Sequence, residues 1–341
     1  MSDSCSFESY PPRFQLPNSP LYHDHEEDLS IDEVVIDSET LPVIDFGCIN
    51  EEKEKLHEAC AEWGVFRLVN HGIPTSLLNQ LHETSKQVFD HSLESKQKLF
   101  SGSPITYFRG TPALNSKGMA LQEPQNVDCM EGFNVPLSQL PCHTHADEDG
   151  DDPLPTSFRY LIQEYGDHQS RLAETIYKAI TERQCEALED CSSYLALPTG
   201  VLRVYRYPAV SQINESSWGM DAHTDSSLIS ILNEDLVGGL QFYRLGHWFH
   251  VRPIPNTFIV NLGDMMQAIS DDEYKSVKHR VRLNKLKERL SIGYFVFPDD
   301  NTLIHSQAYK PFSYSDFRTQ VQQDITTVGY KVGLPRFRRS G

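Results

Sequence analysis

The sequence predicts a mainly β protein with flanking helices and a jelly-roll core. Two observations support this prediction. Residues 200–298 contain short runs of β-branched and aromatic residues broken by Gly, Pro, Asn or Asp, a pattern typical of strands. Before residue 200, apolar residues recur mostly at helical spacing. Short antiparallel strands in two sheets, about eight in all, form a jelly roll.

The elements fall into four segments along the 341 residues. Residues 1–40 are polar and acidic, so we expect a flexible N-terminal segment. Residues 41–199 should form a region of helices and strands that precedes the core. Residues 200–300 should form the jelly-roll core, and residues 301–341 a C-terminal segment.

Individual elements follow from the apolar spacing and from the residues that interrupt it. Helical regions are expected at 51–64, 75–99 and 155–195. Asp264, directly after Gly263, is predicted to form a turn or to cap a short helix. The predicted strands are 105–108, 131–135, 201–205, 227–232, 240–243, 248–251, 257–261 and 290–297.

Two histidines and one aspartate indicate a metal site. His223 and Asp225 are two residues apart, and His279 follows 54 residues after Asp225. Residues i and i+2 of a strand point to the same face, so His223 and Asp225 could bind one ion together. Two imidazoles with one carboxylate are the ligand set of ferrous oxygenases, because coordination positions stay open for substrate and O2.

A second pair of polar residues follows the last histidine. Arg289 and Ser291 repeat the i, i+2 spacing, beginning 10 residues after His279. A guanidinium with a hydroxyl beside it suits a carboxylate, which forms a bidentate, charge-assisted pair. We expect this acid-binding pair to lie in the same sheet as the metal site. Each motif alone is weak evidence, and their order along the chain gives the prediction its weight.

The ordered motifs resemble the plant 2-oxoglutarate- and Fe(II)-dependent dioxygenases over most of the chain. Among these enzymes, the sequence is most similar to the gibberellin oxidases, in particular the 2-oxidase branch. The resemblance implies a double-stranded β-helix with the iron at its mouth. The matching segments are 41–46, 63–72, 237–241, 261–264, 274–281 and 294–298.

The resemblance also implies roles for single residues. His223, Asp225 and His279 become the iron ligands, and Arg289 and Ser291 hold the distal carboxylate of 2-oxoglutarate. Three further features complete the comparison. Tyr207 matches a tyrosine that donates to the same carboxylate, Tyr205 stands where many relatives have Asn, and ascorbate would keep the iron ferrous.

Composition limits the classes of partner. The net charge of −18 argues against nucleic acid or an anionic membrane, because both require a basic surface. Seven cysteines without a Cys-x-x-Cys pair indicate reduced thiols. No apolar run approaches the length of a membrane span. We therefore expect a soluble cytoplasmic protein that acts on a small molecule with O2; the same features suit the nucleus and leave the oligomeric state open.

The substrate implied by the resemblance is a small, largely apolar plant metabolite or hormone acid, with gibberellin 2-oxidation as the first candidate. Its carboxylate would need a cationic partner if buried, and Arg109 and Lys117 are candidates. Two other functions remain open. One is an oxidase of the same fold that does not use 2-oxoglutarate, and the other is a hormone-binding jelly roll without turnover.

Overall fold

The computed structural model describes residues 9–10, 41–101, 103–110, 128–140, 156–185, 194–210 and 218–339. Within these residues, no helix is long and apolar enough to cross a membrane. The strands are β1 Val43–Asp45, β2 Val65–Val69, β3 Thr106–Arg109, β4 Glu131–Pro136, β5 Val201–Tyr207, β6 Trp218–His223, β7 Ile229–Glu234, β8 Leu240–Arg244, β9 His247–His250, β10 Phe258–Leu262, β11 His279–Arg282, β12 Arg289–Val296, β13 Leu303–Ile304 and β14 Phe312–Ser313.

The helices flank the strands in sequence. The predicted helical region 75–99 is two helices, because the chain turns at Ser92, whose side chain accepts a hydrogen bond from the Ser95 amide and caps the second helix. The helices are α1 Lys53–Glu58, which continues as a π-helical turn over Ala59–Trp63, then α2 Thr75–Asp90, α3 Leu93–Leu99, α4 Thr156–Cys185, α5 Asp264–Ile269 and α6 Tyr314–Thr327.

Two main sheets build the core of the molecule. The large sheet has eight strands in the order β1-β2-β10-β7-β12-β5-β4-β3, and the small sheet has four in the order β6-β11-β8-β9. Apart from the parallel pair β1 and β2, the strands of these sheets pair antiparallel. The predicted mainly β fold with flanking helices and a jelly-roll core is confirmed.

The two faces of the large sheet differ in what covers them. One face carries apolar side chains such as Val204, Ile231 and Ile292, all buried, and α4 packs against β7 and β12 of this sheet. The opposite face carries polar residues, among them Arg289 and Ser291. Because neighbouring residues of a strand point to opposite faces, one strand supplies both surfaces. We call the polar side the inner face.

One prediction about placement was wrong. His279 lies in the small sheet and Arg289 in the large one, so the metal and acid-binding residues do not share a sheet. Residues 283–288 connect the two sheets instead of forming a turn within one. Of the segment 1–40, which is predicted to be flexible, the structure describes only Ser9 and Tyr10, and both are buried.

Candidate active site

The small sheet brings the two predicted histidines side by side. His223 on β6 and His279 on β11 are direct cross-strand partners, with ring centroids 4.3 Å apart. Asp225 lies just after the end of β6, so the prediction that it shares a strand with His223 was wrong. Its Oδ1 is 3.7 Å from Nε2 of each histidine. The three side chains could together hold one metal ion.

Backbone carbonyls orient both imidazoles. Nδ1 of His223 lies 2.7 Å from the Asp221 carbonyl oxygen, and Nδ1 of His279 lies 3.1 Å from that of Val277. A proton on Nδ1 satisfies each carbonyl and leaves the lone pair of Nε2 directed toward Asp225. Burial, together with the neighbouring imidazole, lowers the pKa of His223 to about 3. This histidine is therefore neutral at physiological pH, as a metal ligand must be.

The carboxylate of Asp225 is also held in its ligand form. Its Oδ2 accepts hydrogen bonds from Ser230 at 2.7 Å and Asn261 at 2.6 Å, which leaves Oδ1 facing the histidines. Burial raises the pKa of Asp225, but the two imidazoles and these hydrogen bonds lower it by more, to about 2. The donor set thus fits a divalent cation with open positions, such as Fe(II).

The loop that carries Asp225 packs against α5 and the C-terminal segment. The amide of Asp264 donates to the Asp225 carbonyl at 2.8 Å, and Gly263 approaches so closely that a Cβ there would lie 2.1 Å from the Ser227 carbonyl oxygen. Nζ of Lys331 donates to the Thr224 carbonyl and pairs with the Asp264 carboxylate, both at 2.8 Å. Gly263 is the residue at the N-cap of α5, so the prediction that Asp264 caps a helix was wrong.

Arg289, Ser291 and Tyr207 meet on the inner face of the large sheet. Arg289 on β12 pairs with Tyr207 on β5, and its guanidinium lies 5.0 Å from the centre of the Tyr207 ring. Nη1 of Arg289 donates to Oγ of Ser291 at 3.0 Å. Burial raises the pKa of the Tyr207 hydroxyl, which therefore remains a neutral donor. The three groups fit an anionic carboxylate.

Strand β12 connects these three residues with the candidate metal ligands His223, Asp225 and His279. Beyond Ser291, the inner face of β12 continues through Gly293 to Phe295, which pairs with Ser230 on β7. The Ser230 hydroxyl is the one that holds Asp225. The six predicted site residues therefore line one interior surface, although they come from two sheets.

The structure adds residues that the sequence did not predict. Arg203 lies on the inner face of β5, two residues from Tyr205, with its guanidinium 5.0 Å from the centre of the Phe295 ring. Its Nε donates to Asn134 Oδ1 at 3.1 Å, and no carboxylate of the described residues forms an ion pair with it. Only the strand register reveals this position, because Arg203 lies in no motif. The predicted cation Arg109 is exposed on the edge strand β3, and Lys117 lies outside the described residues.

Tyr205 forms an apolar wall next to this cation. Its side chain is buried, and its ring lies edge-on to Phe108 at 5.8 Å between centroids. Burial raises the pKa of the Tyr205 hydroxyl, while the nearby Arg203 lowers it. Tyr205 thus replaces an amide with an aromatic surface on the side of the site nearest Arg203.

Comparisons with known proteins give a consistent result. Residues 198–298 match the 2OG-Fe(II) oxygenase superfamily, and residues 41–155 match the non-haem dioxygenase in morphine synthesis N-terminal family. Gibberellin 2-beta-dioxygenase 8 of Arabidopsis thaliana is 32% identical over 96% of this chain and 98% of its own length. Gibberellin 2-beta-dioxygenase 5 of Oryza sativa subsp. japonica is 31% identical over 97% of each chain. The solved structure of a dioxygenase for auxin oxidation in rice has a TM-score of 0.68 at 25% identity, over 88% of this chain and 100% of that one.

Proposed function

Because the chain belongs to the 2OG-Fe(II) oxygenase superfamily, as a 2-oxoglutarate- and Fe(II)-dependent dioxygenase close to the gibberellin oxidases, we propose that it hydroxylates a small, largely apolar carboxylic acid of the plant-hormone type. The first candidate reaction is gibberellin 2-oxidation. The observation that supports an acidic substrate is the position of Arg203, which lies over the Phe295 ring on the inner face and forms no ion pair with a carboxylate of the described residues.

We assign the site residues within this proposal. His223, Asp225 and His279 would hold Fe(II), while Arg289 and Ser291, with the Tyr207 hydroxyl, would hold the distal carboxylate of 2-oxoglutarate. When bound, these groups supply the oxidation: O2, 2-oxoglutarate and a substrate C–H become succinate, CO2 and C–OH. Ascorbate is the typical reductant of the family.

The protein's own contribution is to position the substrate and to exclude water from it. Phe295 and Tyr205 present apolar surface near the candidate metal ligand Asp225. This surface suits a hydrocarbon skeleton. The Arg203 guanidinium would pair with the substrate carboxylate and fix which C–H faces the metal. Such positioning accounts for regioselectivity, because the oxidising chemistry belongs to the cofactor.

A pair of arginine variants tests the proposed substrate anchor. Arg203→Met should raise the KM for an acidic substrate about tenfold to a hundredfold, since a lost charge-assisted pair costs about 1.5–3 kcal/mol. Arg109→Met is the matched control, because Arg109 is exposed, and its KM should stay unchanged. Equal KM values in wild type and Arg203→Met would remove Arg203 from the proposal.

The identity of the substrate is tested by direct incubation. The Fe(II)-loaded enzyme with 2-oxoglutarate and ascorbate should convert C19 or C20 gibberellins to products heavier by one oxygen, with one succinate released per product. Turnover of an auxin or a phenolic acid alone would replace the gibberellin proposal. Product without succinate would instead support an oxidase that does not use 2-oxoglutarate, and no turnover of any acid would favour a binding protein.

We also propose a reducing compartment, the cytoplasm. Within the described part of the chain, Cys48 and Cys60 are free thiols. Burial raises the pKa of the Cys60 thiol, so this residue is an unreactive core side chain. Localisation of a fluorescent fusion in plant cells tests the compartment, and a signal confined to secretory organelles would contradict it.

A further inference from the structure

Glu234 places a carboxylate on the arginine that is proposed to anchor 2-oxoglutarate. It ends β7 directly opposite Ser291, so its side chain points to the inner face. Oε2 of Glu234 accepts a hydrogen bond from Nη2 of Arg289 at 2.9 Å, and both side chains are almost fully buried, with 6% and 2% exposed. The guanidinium is therefore neutralised before any cosubstrate arrives.

Two atoms of this pair lack a hydrogen bond. Oε1 of Glu234 and Nε of Arg289 are both buried without a partner among the described residues. A buried carboxylate oxygen without a donor is unfavourable, and the cost disappears if that oxygen is protonated and donates to another acceptor. A second carboxylate bound to Arg289 would be such an acceptor, whereas an ionised Glu234 would repel it.

We propose that Glu234 is a specificity-determining residue for the cosubstrate, and that its acid form donates a hydrogen bond to the distal carboxylate of 2-oxoglutarate while Arg289 pairs with the same group. This inference rests on the proposed role of Arg289. Glu234 takes up one proton from solvent for each 2-oxoglutarate bound, so the binding of this cosubstrate depends on pH.

The surroundings of Glu234 make its carboxyl easier to protonate than that of an exposed glutamate. Burial raises the pKa of the Glu234 carboxyl, and the neighbouring Asp235 raises it further, while Arg289 and the more distant Arg67 lower it; the pKa remains above its ordinary value of 4.5. Two other titratable groups lie near this pair: Tyr207 interacts with Arg289, and His82 interacts with both Asp235 and Arg289. An incoming carboxylate raises the pKa of Glu234 again, because it is a like charge.

The sign of the pH dependence follows. Below the pKa of Glu234, the acid is already protonated and the Kd for 2-oxoglutarate is independent of pH. Above this pKa, binding consumes a proton, so the Kd rises about tenfold per pH unit. Glu234→Gln keeps a donor of similar shape without a charge, so its Kd should be lower at high pH and should not depend on pH.

Calorimetric titration of Mn(II)-loaded protein with 2-oxoglutarate under argon measures this binding without turnover. Repeating it between pH 6 and 8.5, in buffers of different ionisation enthalpy, gives the number of protons exchanged. We expect uptake of about one proton in wild type and none in Glu234→Gln. Glu234→Asp, which retains a carboxylic acid, should keep the pH dependence. Circular dichroism confirms that each variant is folded.

Two further variants separate the possible failures. Asp235→Asn removes a neighbouring charge, but its carboxylate accepts from the Leu290 and Val237 amides rather than from Arg289, so proton uptake should persist. A Glu234→Gln protein with the wild-type pH slope would overturn the role of Glu234 and leave the anchor intact. Normal 2-oxoglutarate affinity in Arg289→Ala would overturn the anchor itself and this inference with it.

Discussion

At the scale of single residues, the candidate active site is prepared for a metal by hydrogen bonds that do not involve the metal. The Nδ1 atoms of His223 and His279 contact backbone carbonyls, and one oxygen of Asp225 is occupied by Ser230 and Asn261. Each side chain therefore has one donor atom left, and these atoms lie within 4.8 Å of one another. Such second contacts fix ligand orientation and increase metal affinity.

Removing any of the three proposed ligands should abolish iron binding. We expect His223→Ala, Asp225→Ala and His279→Ala each to contain little iron after reconstitution and to lack turnover, because two ligands neither hold Fe(II) well nor fix its open positions. Iron content by mass spectrometry and thermal unfolding check this. His247→Ala is the control, since this histidine lies at the start of β9, outside the cluster. Wild-type iron content in any of the three would refute the assignment.

The proposed cosubstrate anchor can be tested independently of the metal. Arg289→Ala should raise the KM for 2-oxoglutarate about tenfold to a hundredfold, because a charge-assisted pair is lost. Tyr207→Phe should raise this KM less, because only a neutral hydrogen bond is lost. Steady-state kinetics at saturating substrate measure both effects. An unchanged KM in Arg289→Ala would favour the oxidase that does not use 2-oxoglutarate.

The order of the motifs along the sequence predicted which residues meet at the candidate site, but it did not predict every residue beside them. The six predicted site residues belong to motifs whose spacing encodes chemistry, and the structure brings them onto one interior surface. Arg203 and Glu234 belong to no motif. Their proximity to the site depends on which strand pairs with β12 and in which register, and both partners, β5 and β7, are more than 50 residues away along the chain. Local patterns do not contain that information.

At the scale of elements, the site is formed between two sheets rather than within one. His279 and Arg289 are ten positions apart, a separation that suits both a turn within a sheet and a crossing between sheets, so the sequence could not distinguish them. The small sheet is supported from behind by Arg280, whose guanidinium lies 3.7 Å and 3.8 Å from the ring centres of Trp218 and Trp248. This stacking holds β11 in place. Because neighbouring residues of a strand point to opposite faces, it also directs His279 toward the site.

Lys331 of the C-terminal segment contacts the loop that carries the proposed metal ligand Asp225. Replacing Lys331 with Met removes the ammonium that contacts the Thr224 carbonyl, the Ser226 hydroxyl at 2.9 Å and the Asp264 carboxylate. We expect destabilisation of about 3 kcal/mol, because a buried carboxylate loses its partner, together with weaker iron retention. Denaturant unfolding and iron content after dialysis measure the two effects.

The control for this variant is another lysine of the same segment. Lys310→Met removes an exposed charge and should leave both the free energy of unfolding and the iron content unchanged. If Lys331→Met behaves like Lys310→Met, the C-terminal segment does not hold the metal-binding loop.

At the scale of the whole molecule, a buried group of charges lies on the face of the large sheet opposite the site. Glu131 on β4 pairs with Lys96 from α3 at 2.7 Å, and Nε of Arg206 on β5 donates to the same carboxylate at 2.6 Å. The backbone carbonyl of Ser9 accepts from Lys96 at 2.5 Å, and the Tyr10 ring lies 4.0 Å from the Arg206 guanidinium. Ser9 and Tyr10 thus cover a group of buried charges that a hydrophobic pattern would not predict.

Tyr10 should therefore stabilise the whole fold without affecting catalysis. Tyr10→Ala removes a buried ring, its stacking on Arg206 and a 2.6 Å hydrogen bond to Glu288. We expect a loss of about 2–4 kcal/mol in the free energy of unfolding. Turnover at low temperature should be retained, because Arg206 and its neighbour Tyr207 point to opposite faces of β5.

Tyr160→Ala provides the comparison, because this tyrosine of α4 is 48% exposed and its loss should be nearly neutral. Equal unfolding midpoints for the two variants would mean that residues 9–10 do not hold this group of buried charges. A selective loss of stability in Tyr10→Ala, with the iron content unchanged, would instead show that Tyr10 is held in place by the buried charges, although the residues around it in sequence have the composition of a flexible tail. Composition averages over a whole segment, whereas burial is decided residue by residue, as at Ser9 and Tyr10.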